Sequence, residues 1–427
     1  MAAMSPGAAA ERRPGAEPRC AVVFCDHLLE PSVTFVLAQG EALRRFTPVY
    51  AGSRAVPGLE VPPGRRVVLN RGGIAGYARE ALFKLTGLAP GLTRPLRRAR
   101  PELVHAHFGT GGVIALPLAR QLRLPLVVTL HGYDVTVTDE HARSSPRRSL
   151  RRYVAARPAL AREGSLFIAV SEFIRSCAIE QGFPADRTVV HYIGIDLSEF
   201  RPVPAERTPV VLFVARLVEK KGCELLIRAM AKVAELHPQA ELVVIGDGVL
   251  RARLEAQAAA TGIRHRFLGA QPASVVREWM GRSRVFCVPS LEAASGDREG
   301  FGMVFLEAQA MGLPVVSFAS GGVPEAVAHG RTGFLARERD WPALAAHIGE
   351  LLGSPELWLR MSAEGVARAK EFDLARQTAR LEDLYDDAIE RFAAAPGGRR
   401  RRAVPNVTGA GRVPAAAGAG EPGRRLP

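Results

Sequence analysis

The sequence predicts an α/β protein built from two parallel-sheet domains that face each other across a cleft, and three observations carry that prediction. The chain has 427 residues, more than a single hydrophobic core usually organises. Short apolar runs alternate with helix-period segments in both halves, the pattern of parallel strands joined by crossover helices. A Gly- and Pro-bounded stretch, Ile193-Gly194-Ile195-Asp196-Leu197-Ser198-Glu199-Phe200-Arg201-Pro202, separates the two sets and reads as an interdomain linker.

In the amino half, residues 20–195, the apolar runs predict strands at 21–24, 67–69, 103–106, 126–130 and 166–170. In the carboxyl half, residues 206–372, they predict strands at 210–214, 241–245, 266–268, 285–288 and 315–318. An amphipathic segment at 373–393 predicts a last helix. Residues 1–19 and 394–427 are rich in Ala, Gly, Pro and Arg without a hydrophobic period, the composition of disordered extensions. No repeat of solenoid length is visible.

Apolar content of 47% with 6% aromatics fits a soluble α/β enzyme. No run of about 18 apolar residues is present to span a bilayer. The first twenty residues lack the continuous apolar core of a secretory signal, so a cytoplasmic location is expected. Five scattered cysteines, Cys20, Cys25, Cys177, Cys223 and Cys287, lack paired metal-ligand spacing and read as buried free thiols. A net charge of +14 asks for an anionic partner: a phosphate-bearing ligand, an anionic membrane surface or nucleic acid. Part of the excess sits in the termini, notably Arg399 to Arg402. The aromatic-interleaved basic stretches of single-strand binders are absent, and no nucleic-acid partner is expected.

The stretch from Glu299 to Glu325 is the most informative. Glu299 falls in a loop and Glu307 inside the helix that follows, with Gly300, Phe301, Gly302 and Met303 at the helix start. A helix start offers unpaired N–H groups and a positive dipole end to phosphate oxygens. Gly300 and Gly302 would let backbone approach a ligand. Glu299 would then reach sugar hydroxyls and Glu307 a ribose. Two Glu at this spacing say little alone, but Ser320-Gly321-Gly322 makes a second glycine turn after the apolar strand at 315–318, where open α/β sheets bind ligands.

Other strand ends add polar groups. Arg216, Lys220 and Lys221 follow the strand at 210–214; a guanidinium and an ammonium there can grip one diphosphate, with an ordinary basic loop as the alternative. Ile245-Gly246-Asp247-Gly248 lacks the third glycine of a dinucleotide fingerprint, since Arg251 stands there; it is either a tight turn or a ligand contact. In the amino half, His131-Gly132-Tyr133-Asp134 ends one strand. His105 and His107 share one face of the preceding strand, as core or cleft-wall residues, without further ligands that a metal would need.

Together these motifs resemble the retaining glycosyltransferases of family 4, whose signature is Glu, seven residues, Glu, over roughly residues 20 to 393. The loops at Glu30-Pro31-Ser32-Val33, His105 to Gly112, His191 to Asp196 and Ser295 to Gly300 are similar to those of its exopolysaccharide, colanic-acid-type branch. The resemblance implies the GT-B fold, two Rossmann-like doubly wound parallel-sheet domains facing across a cleft, with the last helix crossing back onto the first domain. It implies transfer of a hexose, with retention, from a nucleoside-diphosphate sugar to a saccharide or lipid-linked acceptor. By the same resemblance His131 and Glu299 are the catalytic pair, facing the donor sugar. Arg216, Lys221, Gly246, Phe301, Gly302, Met303 and Glu307 bind the donor; His107 and Asp134 wall the acceptor side. No metal and no cofactor beyond the donor is implied. Phe267-Leu268-Gly269 is similar to the base-side strand end of the family. Val33 stands where the branch usually has Glu, and the Gly-Gly pair that other members carry in that loop is missing.

Two other readings are carried forward. A sugar-nucleotide epimerase would share the fold but need an acid/base set not found in the sequence; a basic protein binding membrane or nucleic acid without catalysis would follow from charge alone. Residues 77–100 mix Leu82, Phe83, Leu85, Leu88 and Leu92 with Lys84, Arg94, Arg97, Arg98 and Arg100, which suits peripheral contact with an anionic membrane at the inner face of the cell or, equally, a core-packed helix and a basic loop. Arg147, Arg148, Arg151 and Arg152 would add to such a surface.

Overall fold

The structure, a computed structural model, describes residues 19–62, 64–203 and 206–395. Most of the two predicted extensions, Arg399 to Arg402 included, lies outside the described residues; Arg19 and Ala394, assigned to them from sequence, belong to a strand and a helix.

Among the described residues, eight parallel strands form the first sheet: β1 (Arg19–Phe24), β2 (His27–Leu28), β3 (Phe46–Ala55), β4 (Arg66–Asn70), β5 (Pro101–His107), β6 (Leu126–Leu130), β7 (Leu166–Ala169) and β8 (Thr188–Val190). Their order is β2-β3-β1-β5-β6-β7-β8, with β4 on β3. The second sheet comprises β9 (Val210–Val214), β10 (Glu241–Ile245), β11 (Arg264–Phe267), β12 (Val285–Cys287), β13 (Val315–Phe318) and β14 (Gly333–Ala336). Its order, β11-β10-β9-β12-β13-β14, is that of a doubly wound dinucleotide fold, with the winding reversed between β9 and β12. Helices cover both faces, so the strands read as unbroken apolar runs: Val211, Leu212 and Phe213, like Leu242, Val243 and Val244, have no exposed surface.

Four strands go beyond the sequence reading. In β3, Pro48 and the Gly52-Ser53-Arg54 run break the apolar pattern, yet the strand pairs with β1 over six positions. Gly52 is required there, because a Cβ would stand 2.7 Å from the Cys25 carbonyl oxygen. The others, β2, β8 and β14, are two- to four-residue strands at sheet edges, too short for a period to register. All five cysteines are free thiols, with Cys25, Cys223 and Cys287 buried as expected but Cys20 and Cys177 only partly so.

The last helix, Leu374–Ala394, starts on Asp373, whose carboxylate accepts the Arg376 N–H at 3.0 Å. Linker residue Ile195 exchanges backbone hydrogen bonds with Phe372 and Leu374 at this point. The helix then packs across the first sheet, burying Leu381, Tyr385 and Ala388 against Phe46, Leu103 and Val127. Glu382 is its anchor: the carboxylate accepts the backbone N–H groups of Arg44 (2.8 Å), Arg45 (2.5 Å) and Phe46 (3.2 Å). Glu382→Ala leaves those donors without their acceptor and is expected to destabilise the first lobe by about 2–3 kcal/mol, read as a lowered thermal midpoint. Glu382→Gln, which keeps a carbonyl oxygen, should recover part of the loss.

Candidate active site between the two lobes

The site is assembled from loops at the carboxyl ends of strands on both sheets. In the second lobe, the β9 loop carries Arg216, Lys220 and Lys221 to the switch point. Arg216 is exposed and has no side-chain partner among the described residues. Lys220 and Lys221 diverge: Lys220 Nζ bonds Asp297 at 3.0 Å, and Lys221 Nζ bonds the Glu299 carboxylate. Glu299 is 9% exposed. Burial alone would raise its pKa, but Lys221 and then Lys220 outweigh it and hold the carboxyl down at about 2. Lys221, which the resemblance places at the donor, and its neighbour Lys220 thus each have their own acidic partner.

Helix Met303–Ala310 begins after Gly302, whose φ of +88° suits glycine, and no side chain caps it. Its first amides are therefore open to an anion. The carboxylate of Glu307, further along the same helix, has no hydrogen-bond partner among the described residues. Burial pushes its carboxyl up to about 7, only slightly opposed by Arg277.

In the first lobe, His107 at the end of β5 and His131 just after β6 meet, Nδ1 to Nε2, at 3.1 Å. Burial lowers His107 to about 3 and drives His131 well below the usual histidine range, so both rings are neutral at pH 7. One ring must donate and the other accept, which fixes the His131 ring plane between Phe35 and Phe108, with centroids at 5.0 and 4.5 Å. His105 lies deeper, bonded to Tyr385 and Thr129 at 2.7 Å each, and belongs to the core.

The lobes touch through this loop set. A Cβ on Gly300 would stand 2.1 Å from the His131 carbonyl oxygen. Ser171 Oγ donates to the Gly300 carbonyl at 2.6 Å, and Thr138 N–H to that of Ser295 at 3.1 Å. Glu325 accepts the N–H groups of Glu172 (2.8 Å) and Phe173 (2.9 Å) and the Tyr192 hydroxyl (2.9 Å), so a second-lobe carboxylate caps a first-lobe helix.

Several expectations are corrected by this geometry. Gly300 is small so that the lobes can close, not to admit a ligand. Phe301, expected at the donor, is 2% exposed and packs on Tyr192 and Phe372 at 5.1 and 5.5 Å. Gly246 is the tight-turn alternative: its N–H bonds the Gly269 carbonyl at 2.8 Å, and a Cβ would stand 1.9 Å from Ala215 O. Asp134 does not line an acceptor wall. It is 2% exposed, and its carboxylate accepts the N–H groups of Gly109 (2.8 Å), Gly132 (2.8 Å) and His131 (3.1 Å), holding the His131 loop in place. Burial raises its pKa to about 6 against those bonds. Likewise His107, 3% exposed, touches His131 rather than open cleft. The cross-lobe roles of Glu325 and of Asp297, which accepts the first-lobe Thr136 hydroxyl at 3.4 Å, were not read from the sequence; those partners lie more than 130 residues away, and no local pattern marks them.

Two facing doubly wound lobes with polar loops collected at the switch points are the GT-B architecture. Residues 195–368 match the family described as glycosyl transferases group 1, and residues 33–199 match glycosyltransferase family 4. The D-inositol 3-phosphate glycosyltransferase of Nocardia farcinica is 30% identical over 81% of each chain. The putative colanic acid biosynthesis glycosyltransferase WcaL of Escherichia coli is 31% identical over 281 residues, 64% of this chain and 66% of that one, so the match takes in slightly under two thirds of that relative. Among solved structures, Anabaena HepE in complex with UDP and glucose superposes with a TM-score of 0.69 at 22% identity, over 86% of this chain and 99% of that one, and has the same fold. The chain belongs to the family 4 glycosyltransferases.

Proposed function

We propose that the protein transfers a hexose from a nucleoside-diphosphate sugar to a saccharide acceptor, free or lipid-linked, with retention of anomeric configuration, in exopolysaccharide or cell-surface glycan synthesis on the cytoplasmic side of the membrane. The observation that carries the reading is the buried Lys221–Glu299 pair at the β9–β12 switch point, on the same loops as exposed Arg216 and in contact, through Gly300, with the neutral His131 loop. The name of the colanic-acid relative supports the glycan class. The family matches are to transferases, and the epimerase alternative finds no support.

In this reading the bond between the anomeric carbon and the diphosphate oxygen breaks with both electrons going to oxygen. The acceptor oxygen bonds to the same face of that carbon, and its proton passes to the departing phosphate. The barrier falls as the growing negative charge is neutralised by Arg216, Lys221 and the amides near Gly302 and Met303, without a metal or other cofactor. Glu299 and His131 orient the hexose. A sugar nucleotide that binds Lys221 competes with Glu299 for the ammonium and releases that carboxylate toward sugar hydroxyls.

Glu307 gives the reading a pH signature. Ribose hydroxyls donate best to the ionised carboxylate, so affinity for an intact sugar nucleotide should rise as pH increases through about 7. In Glu307→Gln that slope should vanish and binding should weaken. An affinity indifferent to both pH and this substitution removes the ribose assignment. The function as a whole is tested by screening sugar nucleotides for protection against thermal unfolding, then asking whether free nucleoside diphosphate appears only when acceptor is added. Release that ignores acceptor, or no protection by any sugar nucleotide, contradicts it.

A further inference from the structure

Helix Gly73–Thr86 presents its apolar face away from its own core. Ile74, Tyr77, Ala78, Ala81, Leu82 and Leu85 recur at helical spacing and form one stripe, yet all are exposed, Ile74 to 91% and Leu85 to 85%. The buried seam on the opposite side is Gly76, Glu80 and Phe83. Gly76 lies so close to Asn70 that a Cβ would stand 2.4 Å from its Oδ1. Glu80 accepts from Arg54 (2.8 Å), Asn70 (2.6 Å) and Lys84 (2.9 Å). Burial would raise its pKa, but these partners hold it at about 2. The helix is thus docked largely by a polar anchor, and a stripe that would ordinarily face a core stays outside it, with Tyr77 meeting the Arg54 guanidinium 5.0 Å from its ring centroid. Scattered exposed leucines need no explanation; a periodic stripe does. Of the leucines that the sequence left between core and interface, Leu92 is core, whereas Leu82, Leu85 and Leu88 are exposed.

Charge selects the partner. Glu80 is the one acid between residues 71 and 100, and it is buried and paired. Arg71, Arg79, Arg94, Arg97 and Arg98 are exposed over the same span and have no acidic partner among the described residues. Arg71 and Arg79 line one cavity of about 270 Å³ with Val68 and Gly91. At the far end of the helix, Arg152 bonds the Lys84 carbonyl, bringing the basic start of helix Arg148–Glu163 alongside. An apolar stripe with guanidinium groups on its flank and no exposed acid matches the boundary of an anionic bilayer, with acyl chains below and phosphates around.

We propose that this face of the first lobe docks on an anionic lipid bilayer, with helix Gly73–Thr86 lying in the headgroup plane and its stripe turned toward the acyl chains. The proposal deepens the function proposed above by supplying the surface at which a lipid-linked acceptor is met, and it is tested independently of catalysis. The full chain is co-sedimented with phosphatidylcholine vesicles with and without phosphatidylglycerol. The expected result is binding to the anionic vesicles, and a partition coefficient at least about tenfold lower for the Ile74→Ser/Leu85→Ser variant. Both substituted side chains are exposed, so its thermal midpoint and its protection by sugar nucleotide should match the parent. The Arg94→Glu/Arg97→Glu/Arg98→Glu variant should lose anionic binding to a similar degree. Equal binding to neutral vesicles, an Ile74→Ser/Leu85→Ser variant that binds as the parent does, no binding by the parent, or a dimer that this variant dissociates would each overturn the proposal. Absence of sugar-nucleotide protection in the parent would instead count against the transferase reading alone.

Discussion

Lys221→Ala is expected to lower kcat/KM by about 3–4 kcal/mol, on the order of 10²- to 10³-fold, the largest loss of any single substitution considered for this site. Two effects combine. The diphosphate loses an ammonium placed where charge grows in the transition state, and Glu299 loses the cation that holds its carboxyl at about 2. The second effect is visible without substrate. A carboxyl depressed in the folded state stabilises it above the ordinary carboxylate range and ceases to do so as pH falls toward its folded pKa. With Lys221 gone and burial unchanged, the Glu299 pKa moves up and that contribution shrinks. The midpoint difference between parent and variant should therefore be widest near neutral pH and narrow toward about pH 3. A variant with parental turnover, or a midpoint difference that does not change with pH, would count against the paired assignment.

Arg216→Ala should lower kcat/KM by about 2–4 kcal/mol, roughly 30- to 1000-fold, through loss of a planar, charge-assisted clamp. Its stability signature is the opposite of Lys221. The side chain is exposed and unpartnered among the described residues, so stability should stay within about 0.5 kcal/mol of the parent and the thermal midpoint nearly unchanged at any pH. The contrast separates a ligand-gripping arginine from an ordinary basic loop, for which both quantities would be unchanged. Arg216→Lys should recover only part of the activity, because a point charge cannot reproduce the fork.

How far the sequence carried depended on whether the deciding interaction was local. The strands at 126–130, 210–214 and 241–245 were legible to the residue because their apolar runs are buried on both faces and bounded by turns. β3 was not, because its pairing with β1 overrides the local breaks at Pro48 and Gly52. The same division holds in the site. Lys221 and Glu299 were both singled out from motif position, but nothing in their spacing says that they bond each other. Gly300 was assigned to a ligand because a glycine near phosphate-binding elements fits that role; the atom that forbids its Cβ, the His131 carbonyl oxygen, is contributed from the other lobe. Asp134 misled for a similar reason. Its position after a strand end suggests a cleft residue, whereas its oxygens are consumed by backbone N–H groups of its own loop and of the loop after β5. In helix Gly73–Thr86 the mix of apolar and basic residues was legible, but the direction of the apolar side chains was not, since composition does not say what a face meets.

The most direct test is a crystal structure with the sugar nucleotide selected by the thermal panel. The account predicts pyrophosphate oxygens within hydrogen-bonding reach of Lys221 Nζ, the Arg216 guanidinium and the amides at Gly302 and Met303, with the hexose turned toward His131 and Glu299. A nucleotide seated away from the β9–β12 switch point, with the Lys221–Glu299 pair undisturbed, would contradict it.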